Sequence, residues 1–321
     1  MAQLITKKIC EMGLRPEKDL AGNIVVRIAG EDPNAQPWVL AAHMDEIGLV
    51  VTHVEADGRL GVSRSGGLEP YKVGERAVEI LGDQASIVGI ISFGSGHALG
   101  TEGGSDWEAA RVFTGLSSAA LSAAGVRAGS PAVPTLAGRG PWVIGNPDDP
   151  WVGAWSLDNR AGVAVLLEVL CTLHEKAIRP RAPLIIAFTV HEEGGGHGAK
   201  SLALQERPQA FIAVDGCPWW PGCGFEVNDQ PVIWARDRLA QYDHAISMML
   251  IAAAEGATCG WQTAVVPHAY TDASAAYSVG AAPAVGIIGH SRFNSHGTEI
   301  SKVNAFDNIE RTLIELIQAY V

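Results

Sequence analysis

Leu184–Val190 is a short, almost wholly apolar run with β-branched residues, and it stops at His191-Glu192-Glu193 followed by three glycines. Such a run reads as a strand buried on both faces. No strand or helix interior tolerates Gly194-Gly195-Gly196, so the chain turns there. Delivering two adjacent carboxylates from a buried strand is expensive unless the charges are used. In open α/β sheets the carboxyl ends of strands are where ligands bind. Neighbouring strand residues point to opposite sides, so Glu192 and Glu193 are expected to divide the work, one holding a metal and the other facing a substrate. The plainer alternative is a solvated charged loop between a strand and a helix.

A second apolar run, Trp38–Ala42, also ends in potential ligands, His43-Met44-Asp45-Glu46-Ile47-Gly48. In an extended segment His43 and Asp45 share a face, which suits a ligating imidazole oriented by a neighbouring carboxylate. An H-x-D pair is equally compatible with a structural role when taken alone.

Between residues 52 and 148 the texture changes. Short β-rich runs (Ala77–Leu81, Ala85–Phe93, Ala132–Leu136, Pro141–Ile144) alternate with glycine and proline turns, as in a small antiparallel barrel. The glycine-rich loop Gly94–Gly104 is the nearest approach to low complexity. Before and after this segment, strands alternate with helices. Strands are expected at Asn23–Ile28, Phe211–Val214, Gln262–Val266 and Pro283–Ile288. Helices are expected at Ala2–Met12, Val163–His174, Ala199–Glu206, Gln241–Ala254, Ala273–Ser278 and Asn304–Tyr320. The fold class that follows is α/β, with a mostly parallel sheet covered by helices on both faces. Residues 1–51 and 149–321 would form that α/β domain, with 52–148 as a β-barrel inserted into it.

Composition narrows the function. A net charge of −12 argues against nucleic acid and anionic membranes as partners. No apolar run approaches the ~18 residues of a membrane span, and MAQLITKKICEMG lacks the apolar core of a secretory signal. Five scattered cysteines without a C-x-x-C pair fit a reducing, cytoplasmic compartment.

The polar residues at strand ends and in the loops beyond them are His43, Asp158, Glu192, Glu193, Asp215 and His296. Asp158 also sits where a helix N-cap belongs, ahead of the helical stretch from Val163. Two imidazoles and several carboxylates suit two Zn2+, Co2+ or Mn2+ ions and are too poor in sulfur for a structural zinc site. One carboxylate bridging the ions gives a co-catalytic hydrolase arrangement, and the spare glutamate serves as general base.

These motifs resemble, in order, those of the dinuclear metallo-aminopeptidases that assemble tetrahedral particles, the glutamyl, leucyl and lysyl aminopeptidase family. The residues that carry the likeness are His43–Gly48, Leu157-Asp158-Asn159-Arg160-Ala161-Gly162, Glu192-Glu193, Asp215 and Ser295-His296. Gly22-Asn23, Gly66-Gly67, His97, Gly125-Val126 and Thr271-Asp272-Ala273 extend it from about Asp19 to the C-terminus. The resemblance implies a zinc-peptidase-like fold in which Asp158 bridges two metals, with His43 and Asp215 completing one site and Glu193 and His296 the other. It implies Glu192 as the base, Asp45 as the support of His43, and attack by a bridging hydroxide on peptide substrates at their free N-terminus. It also implies a homo-oligomer built on dimers, up to a dodecamer, with the insert as the assembly module.

Three features depart from that family. The stretch before Asp19 is short, Gly194-Gly195-Gly196-His197 replaces a bulkier residue and a basic one, and Cys217-Pro-Trp-Trp-Pro-Gly-Cys223 follows directly on Asp215. Trp219, Trp220 and His197 are candidate substrate contacts, with surface packing as the alternative. His268, His290 and His97 are divided between substrate contact and structure, and His191 is expected to pack rather than ligate. Cys217 and Cys223 are open to metal binding or a disulfide, though a rigid turn with free thiols suits the cytoplasm better.

A metal-dependent deacylase or carboxypeptidase could use the same ligands, and a non-catalytic assembly protein is the remaining class. A glycosidase, a label relatives have carried, needs two carboxyls flanking a sugar at ~5–9.5 Å and would leave the histidines idle.

Overall fold

The structure, a computed structural model, describes residues 1–94 and 106–321. His97 and the rest of the glycine-rich loop beyond Gly94 lie outside the described residues, so the contact expected of His97 is not addressed.

Eight strands form the main sheet, in the order Glu17–Lys18, Ile24–Ile28, Leu184–Thr189, Trp38–His43, Ala210–Val214, Ala284–Gly289, Val232–Arg236, Gln262–Val265. The four from Leu184–Thr189 to Ala284–Gly289 are parallel, and antiparallel neighbours flank them on either side. The period-two rule explains why these strands read as unbroken apolar runs. Trp38, Leu40 and Ala42 enter the core on one face while Val39 and Ala41 enter the core on the other. Helices Leu157–Glu175, His244–Gly256 and Asn304–Tyr320 cover the first face through Leu166, Leu250 and Leu313. Helices His197–Glu206 and Asp272–Ser278 cover the second through Leu202 and Ala275. This is the α/β class expected, a largely parallel sheet between two helical layers.

The β-rich segment closes into a six-stranded antiparallel barrel of Gly48–Val54, Leu60–Ser65, Arg111–Phe113, Ser86–Ser92, Arg76–Leu81 and Pro131–Pro134. Its first strand starts at Gly48, immediately after the His43–Ile47 cluster, ahead of the boundary at 52. The expected run Pro141–Ile144 is not part of the barrel. Trp142–Asn146 pairs with Asp149–Trp155, which pairs in turn with Thr298–Lys302. That three-stranded sheet carries the chain from the barrel to Asp158. Asp149–Trp155, Thr298–Lys302 and Val232–Arg236 have no counterpart in the sequence reading. Proline and glycine interrupt the first, polar residues dominate the second, and the third ends in exposed Ala235 and Arg236.

Candidate metal centre

Three parallel strands end at the same edge of the sheet. His43 is the last residue of its strand and lies in register with Thr189, which precedes the Glu192-Glu193 turn. Asp215 follows directly on Ala210–Val214. The turn departs from the strand alternation assumed above. The strand stops at Thr189, His191 adopts a left-handed backbone at φ 57°, and both glutamates then line the same cleft. They diverge through the turn rather than through the pleat. Glu192 Oε2 lies 3.9 Å from His43 Nε2, and Glu193 Oε1 lies 3.6 Å from His296 Nε2.

Asp158 stands between the two imidazoles. Its Oδ1 is 3.0 Å from His43 Nε2 and its Oδ2 is 3.5 Å from His296 Nε2. Asp158 does not cap the helix behind it, as its position suggests from sequence. Asn159 takes that role, its Oδ1 accepting from Gly162 N at 3.1 Å, while its Nδ2 donates to Val214 O at 2.8 Å. The carboxylate of Asp158 is thereby released toward the cleft. Its backbone N–H donates to Glu299 Oε2 at 2.7 Å, and the same glutamate accepts from His296 N at 3.1 Å. Glu299 thus ties the shared carboxylate to the histidine loop, where His296 holds φ at 61°.

Both histidines are presented in one tautomer. His43 Nδ1 donates to the Asp45 carbonyl at 3.3 Å and His296 Nδ1 donates to the Gly67 carbonyl at 3.0 Å, because a carbonyl can only accept. Each Nε2 is thereby turned toward the carboxylates, where a cation would take the place of its proton, the arrangement a metal-ligating imidazole needs. The Asp45 carboxylate does something the H-x-D pattern does not suggest. It stands 3.7 Å from the His43 ring and accepts instead from the backbone N–H groups of Glu192 and Glu193, at 3.1 and 3.2 Å. Asp45 therefore shapes the glutamate turn.

Possible ligand atoms of His43, Asp158 and Asp215 all lie within 4.8 Å of one another, and so do those of Asp158, Glu193 and His296. The electrostatics of the two groups show an unmet demand for positive charge. Burial, and after it the charge of Asp158, pushes Asp215 up to about 8 and Glu193 up to about 7. Burial also raises Glu192 well above the ordinary carboxylate range, with Asp215, Asp272 and Glu193 adding to it against His43. Burial works to lower His296, but its contact with Asp158 and the charge of Glu193 outweigh that and hold it at about 9. Only Asp158 is held well below the ordinary range, by the buried Arg292 guanidinium that donates to it, overcoming its own burial. Glu193 Oε1 is buried without a hydrogen-bond partner. An orphaned carboxylate oxygen beside carboxyls pushed up by burial, two imidazole Nε2 atoms and a shared aspartate fits a pair of divalent cations.

A cleft of about 540 Å3 opens onto these groups, walled by Trp219, Trp220, Trp234, His268 and Tyr270. His197 lies outside it, opening the helix His197–Glu206 with its ring edge-on to His191. His290 is buried edge-on to Phe306, and burial pushes it down to about 3, so it is a neutral packing residue. Cys217 and Cys223 are both free thiols. Sequence reasoning missed Arg292, Glu299 and the cleft-side role of Tyr270, whose hydroxyl donates to the Glu192 carbonyl at 2.7 Å. A buried arginine in a short polar strand carries no sequence signal that separates it from a surface one.

The comparisons place this geometry among known proteins. The glutamyl aminopeptidase of Lactococcus lactis subsp. cremoris is 32% identical over 221 residues, 66% of this chain. The aligned stretch spans only 59% of that relative's length. An aminopeptidase from the archaeon Desulfurococcus kamchatkensis superposes with a TM-score of 0.88 at 24% identity, covering 100% of this chain and 89% of the other. The TET1 peptidase of Pyrococcus horikoshii, described as able to assemble into a tetrahedron or a large octahedral shell, superposes with a TM-score of 0.87 at 24% identity, covering 99% and 93%. At that identity these two likenesses speak for the fold alone. The profile described as M42 glutamyl aminopeptidase matches residues 22–312, a stretch that contains every group gathered at the cleft, and the chain belongs to that family.

Proposed function

We propose that the protein is a two-metal aminopeptidase that removes residues from the free N-termini of peptides. The observation that carries the reading is the placement of Asp158, shared by two ligand groups, beside a buried glutamate that neither group needs. His43, Asp158 and Asp215 would hold one cation, and Asp158, Glu193 and His296 the other. Bound there, Zn2+, or Co2+ or Mn2+ in its place, would supply Lewis acidity to polarise a peptide carbonyl and acidify a water.

The chain's own residues do the rest. Glu192, raised in pKa by burial and by its acidic neighbours, accepts the proton of the attacking water and passes it to the leaving amine. Asp45 holds the Glu192 and Glu193 amides, so the base is aimed before substrate arrives. Tyr270 fixes the same turn from the other side through the Glu192 carbonyl. The free N-terminal amine of the peptide would be recognised at the metal-binding floor of the cleft, which is the basis for exopeptidase action.

The domain division follows the same reading. The α/β part acts as the catalytic unit, and the barrel, whose strands run from Gly48 to Pro134, as the insert through which copies associate. An exposed apolar stripe on the barrel, Val88, Ile90 and Phe113, supports association, as does the assembly described for the Pyrococcus horikoshii relative. A dimer-based homo-oligomer, up to a dodecamer, is the form this reading favours. The five free thiols support a cytoplasmic setting. No helix among the described residues is long and apolar enough to cross a membrane.

The test is direct. Chelation should abolish hydrolysis of a tripeptide from its N-terminus, and Zn2+, Co2+ or Mn2+ should restore it, whereas the N-acetylated tripeptide should resist. Comparable rates on both forms would move the activity to the deacylase class. Light scattering that found only a species of 33.8 kDa at micromolar concentration would rule out the assembly.

A further inference from the structure

A second hollow, at about 730 Å3 larger than the metal cleft, lies behind the segment that carries Asp158. Ser156, Leu157 and Arg160 line it, whereas Asp158 lines the cleft, and no residue borders both. Helices Leu157–Glu175 and Asn304–Tyr320 form its walls, with Leu157, Ala161, Val165 and Phe306 as an apolar lining. Ala164 and Glu168 are exposed, so the hollow is a groove open to water along one side.

The two ends of the groove carry opposite charge. At one end Arg139 and Arg160 both donate to Glu46, which also accepts from the Ser156 hydroxyl at 2.5 Å. Burial works to raise Glu46, but Arg160, Arg139 and that hydroxyl hold it below the ordinary carboxylate range, so it is ionised. Two guanidiniums against one carboxylate leave a positive charge in surplus, and Arg160 Nε is buried without an acceptor. At the other end stand Glu168 and Glu310, the latter accepting from the Thr172 hydroxyl at 2.8 Å. Arg311 also lines the groove, but its guanidinium donates to the Ala257 carbonyl. Arg160 and Glu168 lie on one helix, about 12 Å apart along its axis. A free amino acid, whose charges are adjacent, does not span that. An extended chain covers about 3.3–3.6 Å per residue, so three or four residues do.

We propose that this groove is a second binding site, for a peptide of three or four residues with free termini and apolar side chains. Its C-terminal carboxylate takes the surplus charge at Arg139 and Arg160, and its amine faces Glu168 and Glu310. Its side chains lie on the apolar lining, while the open side leaves its amides in water. The inference stands on the groove and does not rest on the aminopeptidase reading.

The test is calorimetry of the full chain titrated with Leu-Ala-Leu, with divalent cations chelated so that nothing is cleaved. One peptide should bind per chain. Amidating its C-terminus should weaken binding about ten- to a hundred-fold, because charge-assisted hydrogen bonds are lost. Acetylating its N-terminus should weaken it only about two- to fivefold, since Glu168 is exposed and screened. Ala164→Trp, which fills the middle of the groove, should abolish binding. Glu168→Lys should weaken the free tripeptide by about two- to fivefold and the acetylated one hardly at all, and it decides the matter should Ala164→Trp fail to fold. A tripeptide that binds equally well to Ala164→Trp sits elsewhere, and the proposal is overturned. It is overturned as well if the chain takes up no peptide, or if neither terminal block changes the affinity. Binding in the groove by a chain that cleaves no peptide with any of the three metals would remove the aminopeptidase reading and leave this inference standing.

Discussion

The sheet and the barrel differ in what each gives to the cleft. Both are well packed, though only the barrel is closed. The barrel core includes Leu49, Leu60, Val78, Ile80, Ile91 and Val112, as thoroughly buried as Leu40 or Phe188 in the sheet. Yet the α/β part sends every candidate ligand side chain, while the barrel segment sends a backbone carbonyl, that of Gly67, to the His296 ring. Many glycines do not leave the barrel without a core, because closure removes its open edges and fills the interior. A side chain supplies charge and chemistry, and a carbonyl supplies only direction, so two regions can share a site with unequal tolerance for substitution.

The largest effect that would sharpen this contrast lies on the sheet side. Glu192→Gln should reduce turnover by about 10²–10⁴-fold while elemental analysis still finds both metals, since only the proton carrier is lost. Glu193→Ala should instead lower metal content. The reverse pattern would exchange the two assignments.

Next comes the pH dependence of metal loading. Asp215 at about 8 and Glu193 at about 7 are largely protonated in the metal-free protein near and below neutrality. Loading must displace those protons, so affinity should rise by up to about tenfold per pH unit for each proton released across pH 6–8. Calorimetry in buffers of different ionisation enthalpy would count them. Because both carboxyls are raised in the folded state, the stability they lend the metal-free fold is present at acid pH and lost as pH climbs through about 8. A pH-independent affinity would break the argument that these carboxyls face the cations.

On the barrel side the expected effect is smaller. A Cβ at position 67 would stand 2.5 Å from His296 Nδ1, so Gly67→Ala should displace the ring and cost about 10–100-fold in affinity for one of the two metals. Unchanged occupancy of both would show that the barrel segment has no part in the site. Least of all, Asn159→Ala should lower stability by about 1–2 kcal/mol in denaturant titration through loss of the helix cap.

The sequence was most legible where chemistry and periodicity coincide. Apolar runs ending in His43, Glu192-Glu193 and Asp215 announce both a parallel sheet and its ligand edge, because a buried strand has one kind of pattern and its polar end is abrupt. Asp158 was legible as a candidate but not its release from capping, which depends on Asn159 taking over one residue later. Arg292 and Glu299 were not legible. Their importance lies in being buried against Asp158, and burial of a charge in a short polar strand follows from tertiary contacts that no local pattern records. The strands Asp149–Trp155 and Thr298–Lys302 were hidden for a related reason: they are stabilised by each other across a long sequence separation.

The Gly66–Gly67 corner has a consequence for anyone who wishes to rebuild this protein. Gly66 turns with φ at 74°, and a Cβ on it would come within 3.0 Å of Glu193 Oε2. The two residues form a coupling with no side chains of its own, through which the barrel hands one carbonyl to the site. A foreign module could be spliced in place of the barrel strands, provided that it returns the chain to this corner at the same position and leaves the corner bare. Grafts judged only by how well their ends meet would fold and still bind metal poorly; the tolerance that matters is measured at His296, not at the seam.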